Sequence, residues 1–343
     1  MKKTTTLFVS SVVIGLLLFV FFYQPLILYK HDLRSSCIDS SRPKIHETTV
    51  FYRPVIPSTA ESMHAMYGEG NFSEPSLLYR PVIPSTAESL YAMYGEGNFT
   101  DDDQHLLNYI RSMTSQQGPG GRQLYNPSRL EFSQYGGAQF VDKLLKQRRG
   151  GFFLECGAFG GEDLSDTLFF ERERNWTGIL IEANPEYHRE ILRKNRRALV
   201  LRACLHPRPG LFKFRLKGWG GGVSEMNKNV ASEDKTTAET DVQCFSLNSI
   251  MAAIGVRHID FMVLDVEGSE LPVLESIDWT KLSIDVFSIE YNQLGPVRTM
   301  AKLNKVRDFF NRTGQIGPRY KEVGKLPLQA HESSAQDVIF MRK

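Results

Sequence analysis

Neither sign of charge is in useful excess in this 343-residue chain, where 41 Lys and Arg face 39 Asp and Glu for a formal net charge of +2. So close a balance supplies no footprint for a polyanion, and nucleic acid is not an expected partner. Cysteine is scarce, at four residues, Cys37, Cys156, Cys204 and Cys244. No two of them stand at the short interval of a zinc site, and the eight histidines are scattered, so spacing points to no metal centre. Any metal would fall to the acids Asp265, Glu267 and Glu270. A Gly-x-Ser-x-Gly elbow and a Gly-Lys-Ser/Thr phosphate loop are both missing, which sets aside hydrolases of that type and P-loop enzymes.

What is present begins with an uncharged apolar run over residues 7–28, longer than the roughly 20 residues that a membrane helix needs. It predicts one transmembrane span after a cytoplasmic tail of residues 1–6. A cleaved signal peptide is the competing reading, but its apolar part is usually only about 7–15 residues and ends at small residues. Neither feature is clear here. Lys2 and Lys3 precede the span while Lys30 and Arg34 follow it, so flanking charge barely decides orientation. Four glycosylation sequons, at Asn71, Asn98, Asn175 and Asn311, all follow the span and favour a lumenal body, hence a single-pass type II protein. Asn126 is excluded by Pro127. In an oxidising lumen Cys204 and Cys244, which flank one insertion, are the first candidates for a disulfide; four unpaired thiols is the equal alternative.

Residues 29–125 lack a sustained hydrophobic period and are expected to form a flexible stalk. Within them YRPVIPSTAESMHAMYGEGNF at 52–72 recurs at 79–99 with two changes, Met63 to Leu90 and His64 to Tyr91. Two copies are too few for a solenoid, so short capped helical turns in a linker are expected.

From residue 126 to 343 strands and helices alternate, which predicts a parallel sheet covered on both faces. The organising stretch is 152–185, one β-α-β unit. Its first strand ends on Glu155, Gly157, Gly160 and Gly161 form the turn, and its second strand ends on Glu182. Glycines at such a turn let a ligand approach the backbone, and an acid at the end of the second strand is where nucleotide-binding sheets hold ribose hydroxyls. A helix over 140–146 precedes the first strand, and a helix over 186–196 follows the second. Its Arg189, Arg193, Lys194, Arg196 and Arg197 read as a solvated basic face. Residues 205–243 read as an insertion with an edge strand at 212–216 and a glycine loop around Trp219. The strand in 258–271 runs into Asp265, Glu267, Gly268 and Glu270, a crowding of acids that suits general acid/base work or caps the helix over 269–276. A strand over 284–290, a helix over 297–311 and a strand over 337–341 close the chain.

The motifs FFLECGA at 152–158, NWTG at 175–178, IEANP at 181–185, VQCF at 242–245 and LDVEG at 264–268 resemble the FkbM-type methyltransferase family, and within it animal Star-like proteins. The resemblance implies a class I methyltransferase α/β fold, a seven-stranded Rossmann-like sheet with an antiparallel last strand. It implies S-adenosylmethionine on Glu155, Gly157, Gly161, Glu182 and Asn184, with Asp265 as base, assisted by Glu267, for methylation of a hydroxyl oxygen. Its Star-like part implies a membrane protein of the endoplasmic reticulum and Golgi that assists trafficking of cargo such as growth-factor precursors, with or without catalysis. A non-enzymatic extracellular interaction module is the third expectation. One departure stands out: relatives carry Asp or Asn after the aromatic residue of the turn, where this chain has Gly160.

Overall fold

The computed structural model describes residues 100–216, 221–223, 238–293, 295–328 and 330–343. The expected span at 7–28, the duplication at 52–99, the sequons at Asn71 and Asn98, and Trp219 lie outside them. Among the described residues no helix is long and apolar enough to cross a membrane.

The first element, α1 (Gln104–Met113), is capped by Asp103, whose carboxylate accepts the backbone N–H groups of His105 and Leu106. It buries Leu106, Leu107, Tyr109 and Ile110 in the main core, and Arg111 Nε donates to the Ala253 carbonyl at 2.6 Å. The pair β1 (Thr114–Ser115) then adds to the edge of the sheet. The folded body therefore includes at least residues 104–115, which the sequence reading assigned to the stalk. One helix of ten residues is too short to show a period against the polar chain before it, and its docking is fixed by distant partners.

The chain continues through α2 (Gly137–Leu144), β2 (Phe152–Cys156), α3 (Leu168–Glu173), β3 (Thr177–Ile181), α4 (Pro185–Lys194) and β4 (Leu199–Leu201). A smaller set follows: β5 (Cys204–Leu205), β6 (Gly210–Leu216) and β7 (Ala238–Phe245). The last elements are α5 (Leu247–Ala253), β8 (His258–Leu264), α6 (Glu270–Glu275), β9 (Ser283–Glu290), α7 (Pro296–Ile316), β10 (Tyr320–Leu326) and β11 (Asp337–Arg342).

The main sheet has the order β1-β4-β3-β2-β8-β9-β11-β10. Strands β4, β3, β2, β8 and β9 are mutually parallel, and β11 runs antiparallel to both β9 and β10. Strand parity divides the core in two, since neighbours along a strand point to opposite faces. Leu154, Ile179, Ile181, Met262, Leu264, Phe287 and Ile289 pack in one cluster. Phe153, Leu180, Phe261, Val263 and Val286 pack in the other. Both faces of the central strands are thus covered, which is why they read as unbroken apolar runs. This is a class I methyltransferase-like α/β fold with a large mixed sheet.

The run at 212–216 belongs not to an edge of that sheet but to a separate three-stranded sheet, β5-β7-β6. There Cys204 and Cys244 are register partners with Cα atoms 4.4 Å apart, joined by a disulfide. Cys156 is the free, buried cysteine among the described residues. The basic face expected around α4 divides. Arg189, Arg193 and Arg197 are exposed, but Lys194 is buried against Glu162 at 2.6 Å. Arg196 is buried too, donating to Glu171 (3.0 Å), the Gly161 carbonyl (3.0 Å), Ser165 (2.9 Å) and Thr167 (3.1 Å). A charge run is solvated only where no acid of another element faces it; Glu162 and Glu171 come from the other side of the turn.

Candidate functional site

At the carboxyl ends of β2, β3 and β8 a cleft opens, holding about 610 Å³ of atom-free space. Gly157, Phe159, Glu182, Asn184, Tyr187, Asp265, Glu267 and Ser269 line it, with Ala203, Leu205, Phe214 and Val223 as an apolar wall.

Strand direction explains the constellation: parallel strands deliver their last residues, Ile181 with Glu182 and Leu264 with Asp265, to the same edge. The crossing of β2 and β8 is tight. Asp265 N–H donates to the Cys156 carbonyl at 3.2 Å, and a Cβ on Gly157 would overlap the Asp265 carbonyl oxygen and lie 3.1 Å from its carbonyl carbon. With φ at +80° as well, position 157 accepts glycine alone at little strain.

Glu182 is buried, and each carboxylate oxygen takes one backbone N–H, Phe159 on Oε2 (2.8 Å) and Asn184 on Oε1 (2.7 Å). Burial pushes its carboxyl up to about 7, against the pull of those N–H groups. Both oxygens keep lone-pair capacity toward the cleft, because an ionised carboxylate accepts about four hydrogen bonds. The Phe159 ring lies 4.2 Å from that of Tyr187. Asn184 has a local duty, capping α4 by accepting the Glu186 N–H at 2.9 Å.

Asp265 presents an Oδ1 that is shut from solvent without a hydrogen-bond partner, and so does the buried Ser269 through its Oγ. Burial, then the charges of Glu290, Glu267, Asp337 and Glu270, push the Asp265 carboxyl well above the usual carboxylate range. Behind it Glu270 accepts the N–H groups of Val266 (3.1 Å) and Gly268 (3.0 Å) and pairs with Lys302 at 2.9 Å. Asp265, Glu270 and Glu290 bring their oxygens within 4.8 Å of one another. Glu270 spends both oxygens on these partners, and Glu290 reaches the group from β9 and shares Lys302 with it at 3.3 Å. The Cys156 thiol faces the cleft, but burial and the charges of Glu182 and Asp265 hold it protonated.

Two expected ligands stand elsewhere. Glu155, one residue before Cys156, is turned by the pleat to the other face of β2, where it binds Ser165 Oγ (2.9 Å), Asp166 N–H (2.9 Å) and Thr167 Oγ1 beside Arg196. It braces the turn from within. Gly161 packs against α4, where a Cβ would lie 3.1 Å from Ile191. Gly160 borders the same helix: a Cβ there would approach the Glu190 carboxylate within 3.0–3.1 Å. Tyr187, Ser269 and the apolar wall went unread in the sequence; Tyr187 at least was legible as the residue one turn into α4 after the Asn184 cap. Of the described sequons, Asn175 is exposed and accepts from Arg197 at 2.6 Å. Asn311 is exposed on α7, with Thr313 buried and its hydroxyl on the Phe309 carbonyl.

A family-model match agrees with the class that this topology defines. Residues 155–316 match the family model of the methyltransferase FkbM domain. No match is found among curated proteins. Similar solved structures include precorrin-6y C5,15-methyltransferase from Geobacter metallireducens, 13% identical, with 60% of this chain and 87% of that one covered and a TM-score of 0.34. A methyltransferase from Pyrococcus furiosus is 14% identical, with coverage of 60% and 82% and a TM-score of 0.31. The O-methyltransferase from Bacillus cereus is 11% identical, with coverage of 75% and 97% and a TM-score of 0.31. Scores at this level carry no argument about chemistry.

Proposed function

We propose that the body of this protein is an S-adenosylmethionine-dependent methyltransferase acting on a hydroxyl oxygen. The observation that carries the reading is the pair of acids that line one cleft, the buried Glu182 held by two N–H groups and the half-buried Asp265 with an unpartnered oxygen. A cleft of this kind suits the group: Glu182 takes a vicinal pair of ribose hydroxyls, Gly157 leaves the backbone open to close approach, and the apolar wall of Ala203, Leu205 and Val223 covers a flat ring. The bound cofactor supplies an electrophilic methyl group. Asp265, at the cleft wall, would take up the proton that the acceptor's hydroxyl gives up on methylation. Glu267, on the same turn and in the same cleft, positions the acceptor.

In the same proposal the 7–28 segment anchors the body in the lumen of the endoplasmic reticulum or Golgi, as Star-like proteins are anchored, and the acceptor is a glycan, lipid or small hydroxyl compound there. The test is calorimetric titration of S-adenosylmethionine into the full chain in detergent, beside Glu182→Ala. Saturable binding, weakened about tenfold or more by the loss of charge-assisted hydrogen bonds, is the expected result. A well-folded wild type that does not bind would sink the enzyme and leave the anchored trafficking role to be pursued.

A further inference from the structure

A second cavity lies on the other side of the Asp265–Glu270 turn. Residues of that turn divide between the two: Asp265, Val266, Glu267 and Ser269 line the cleft, whereas Gly268 and Glu270 line the second cavity. The second one holds about 1,070 Å³ of atom-free space. Leu271, Pro272, Ala301 and Val306 give it an apolar floor, and Arg298, Lys302 and Lys305 from α7 give it a cationic rim.

The three cations stand at i, i+4 and i+7, one face of a helix. Like charges so placed repel, and at the other cations of α7 the repulsion is answered. Lys302 pairs with Glu270 (2.9 Å) and Glu290 (3.3 Å), Arg307 with Glu322 (2.7 Å) and Glu332 (2.8 Å), and Arg312 with Glu275 (3.4 Å). Arg298 and Lys305 are the two cations of α7 with no carboxylate partner among the described residues, and both border this groove. The same helix begins at Gly295 without a side-chain cap, so its first N–H groups add partial positive charge at that end.

We infer that this groove binds an oxyanion group, a phosphate, sulfate or carboxylate, carried by the acceptor, with Arg298 and Lys305 as its ligands. The inference rests on the methyltransferase reading and narrows its acceptor to a hydroxyl compound with an anionic head. Anchored by that head, the molecule crosses the turn at Gly268, which has no side chain, to bring a hydroxyl to Asp265. The apolar floor accommodates the carbon frame between the two groups.

The test titrates inorganic phosphate, and in separate arms sulfate and acetate, into the full chain in detergent at constant ionic strength. Wild type is compared with Arg298→Ala/Lys305→Ala, with the swap Arg298→Lys/Lys305→Arg, and with Lys143→Ala/Lys321→Ala on exposed surface outside the groove. Saturable phosphate binding that falls tenfold or more in the alanine pair, and survives in the swap and in the outlying pair, supports the groove. No saturable binding of any of the three anions, or equal binding by all four proteins, overturns it. Ranking the three anions identifies the head group. Titrating S-adenosylmethionine into the same proteins separates the two readings. The alanine pair is expected to keep cofactor binding, and a chain that binds phosphate but no cofactor refutes the methyltransferase while leaving an anion site.

Discussion

Replacing Gly157 by alanine tests the geometry of the cleft most directly. Two costs add. A left-handed backbone conformation, φ +80° here, costs an L side chain about 1–2 kcal/mol. The new Cβ also overlaps the Asp265 carbonyl oxygen, which is main chain just past the end of β8 and cannot rotate aside like a side chain, so the ends of β2 and β8 must part at the cleft; overpacking of that sort costs about 1–3 kcal/mol. Together they predict a loss of about 2–5 kcal/mol. Gly255 supplies the control, since its φ is +71° and a Cβ there meets nothing within 4 Å. Gly255→Ala is expected to lose about 1–2 kcal/mol from backbone strain alone. Denaturant unfolding of the full chain in detergent, followed by tryptophan fluorescence, measures both midpoints, and Trp176 in the core beside β2 reports on the body. If the two variants are equally destabilised, the close approach of β2 and β8 at Gly157 is refuted.

The buried carboxyl of Glu182 carries a pH signature. Its folded pKa, about 7, exceeds the ordinary 4.5 because of desolvation, so the folded state holds the proton longer and stability falls as pH rises from about 4.5 to 7, by at most about 3 kcal/mol at 1.36 kcal/mol per unit. Glu182→Gln is expected to flatten that fall. Unfolding midpoints of wild type and variant that stay parallel across the window would contradict it. Arg196→Met strands Glu171 and Glu155 without their buried cation and is expected to cost about 3–5 kcal/mol. The measurement is the same unfolding curve, and a loss under about 1 kcal/mol would show that the network is dispensable.

The sequence by itself determined whatever depends on local period and chain direction. Alternation of apolar runs with helices predicts a parallel sheet, and direction alone puts Glu182 and Asp265, which end their strands, at one edge. Those two acids are the heart of the cleft. Tertiary structure decided what depends on which face a residue takes and on which distant element meets it. One step of pleat separates Cys156, in the cleft, from Glu155, among buried hydroxyls on the far side. Lys194 and Arg196 lie in a basic run, yet Glu162 and Glu171, carried to them by the turn, make them core residues. The helix α1 becomes part of the body only because its four buried side chains pack into the main core beside α5. Such pairings lie between residues far apart in the chain, and a one-dimensional pattern records neither the pleat's parity at a given position nor the partner across the core.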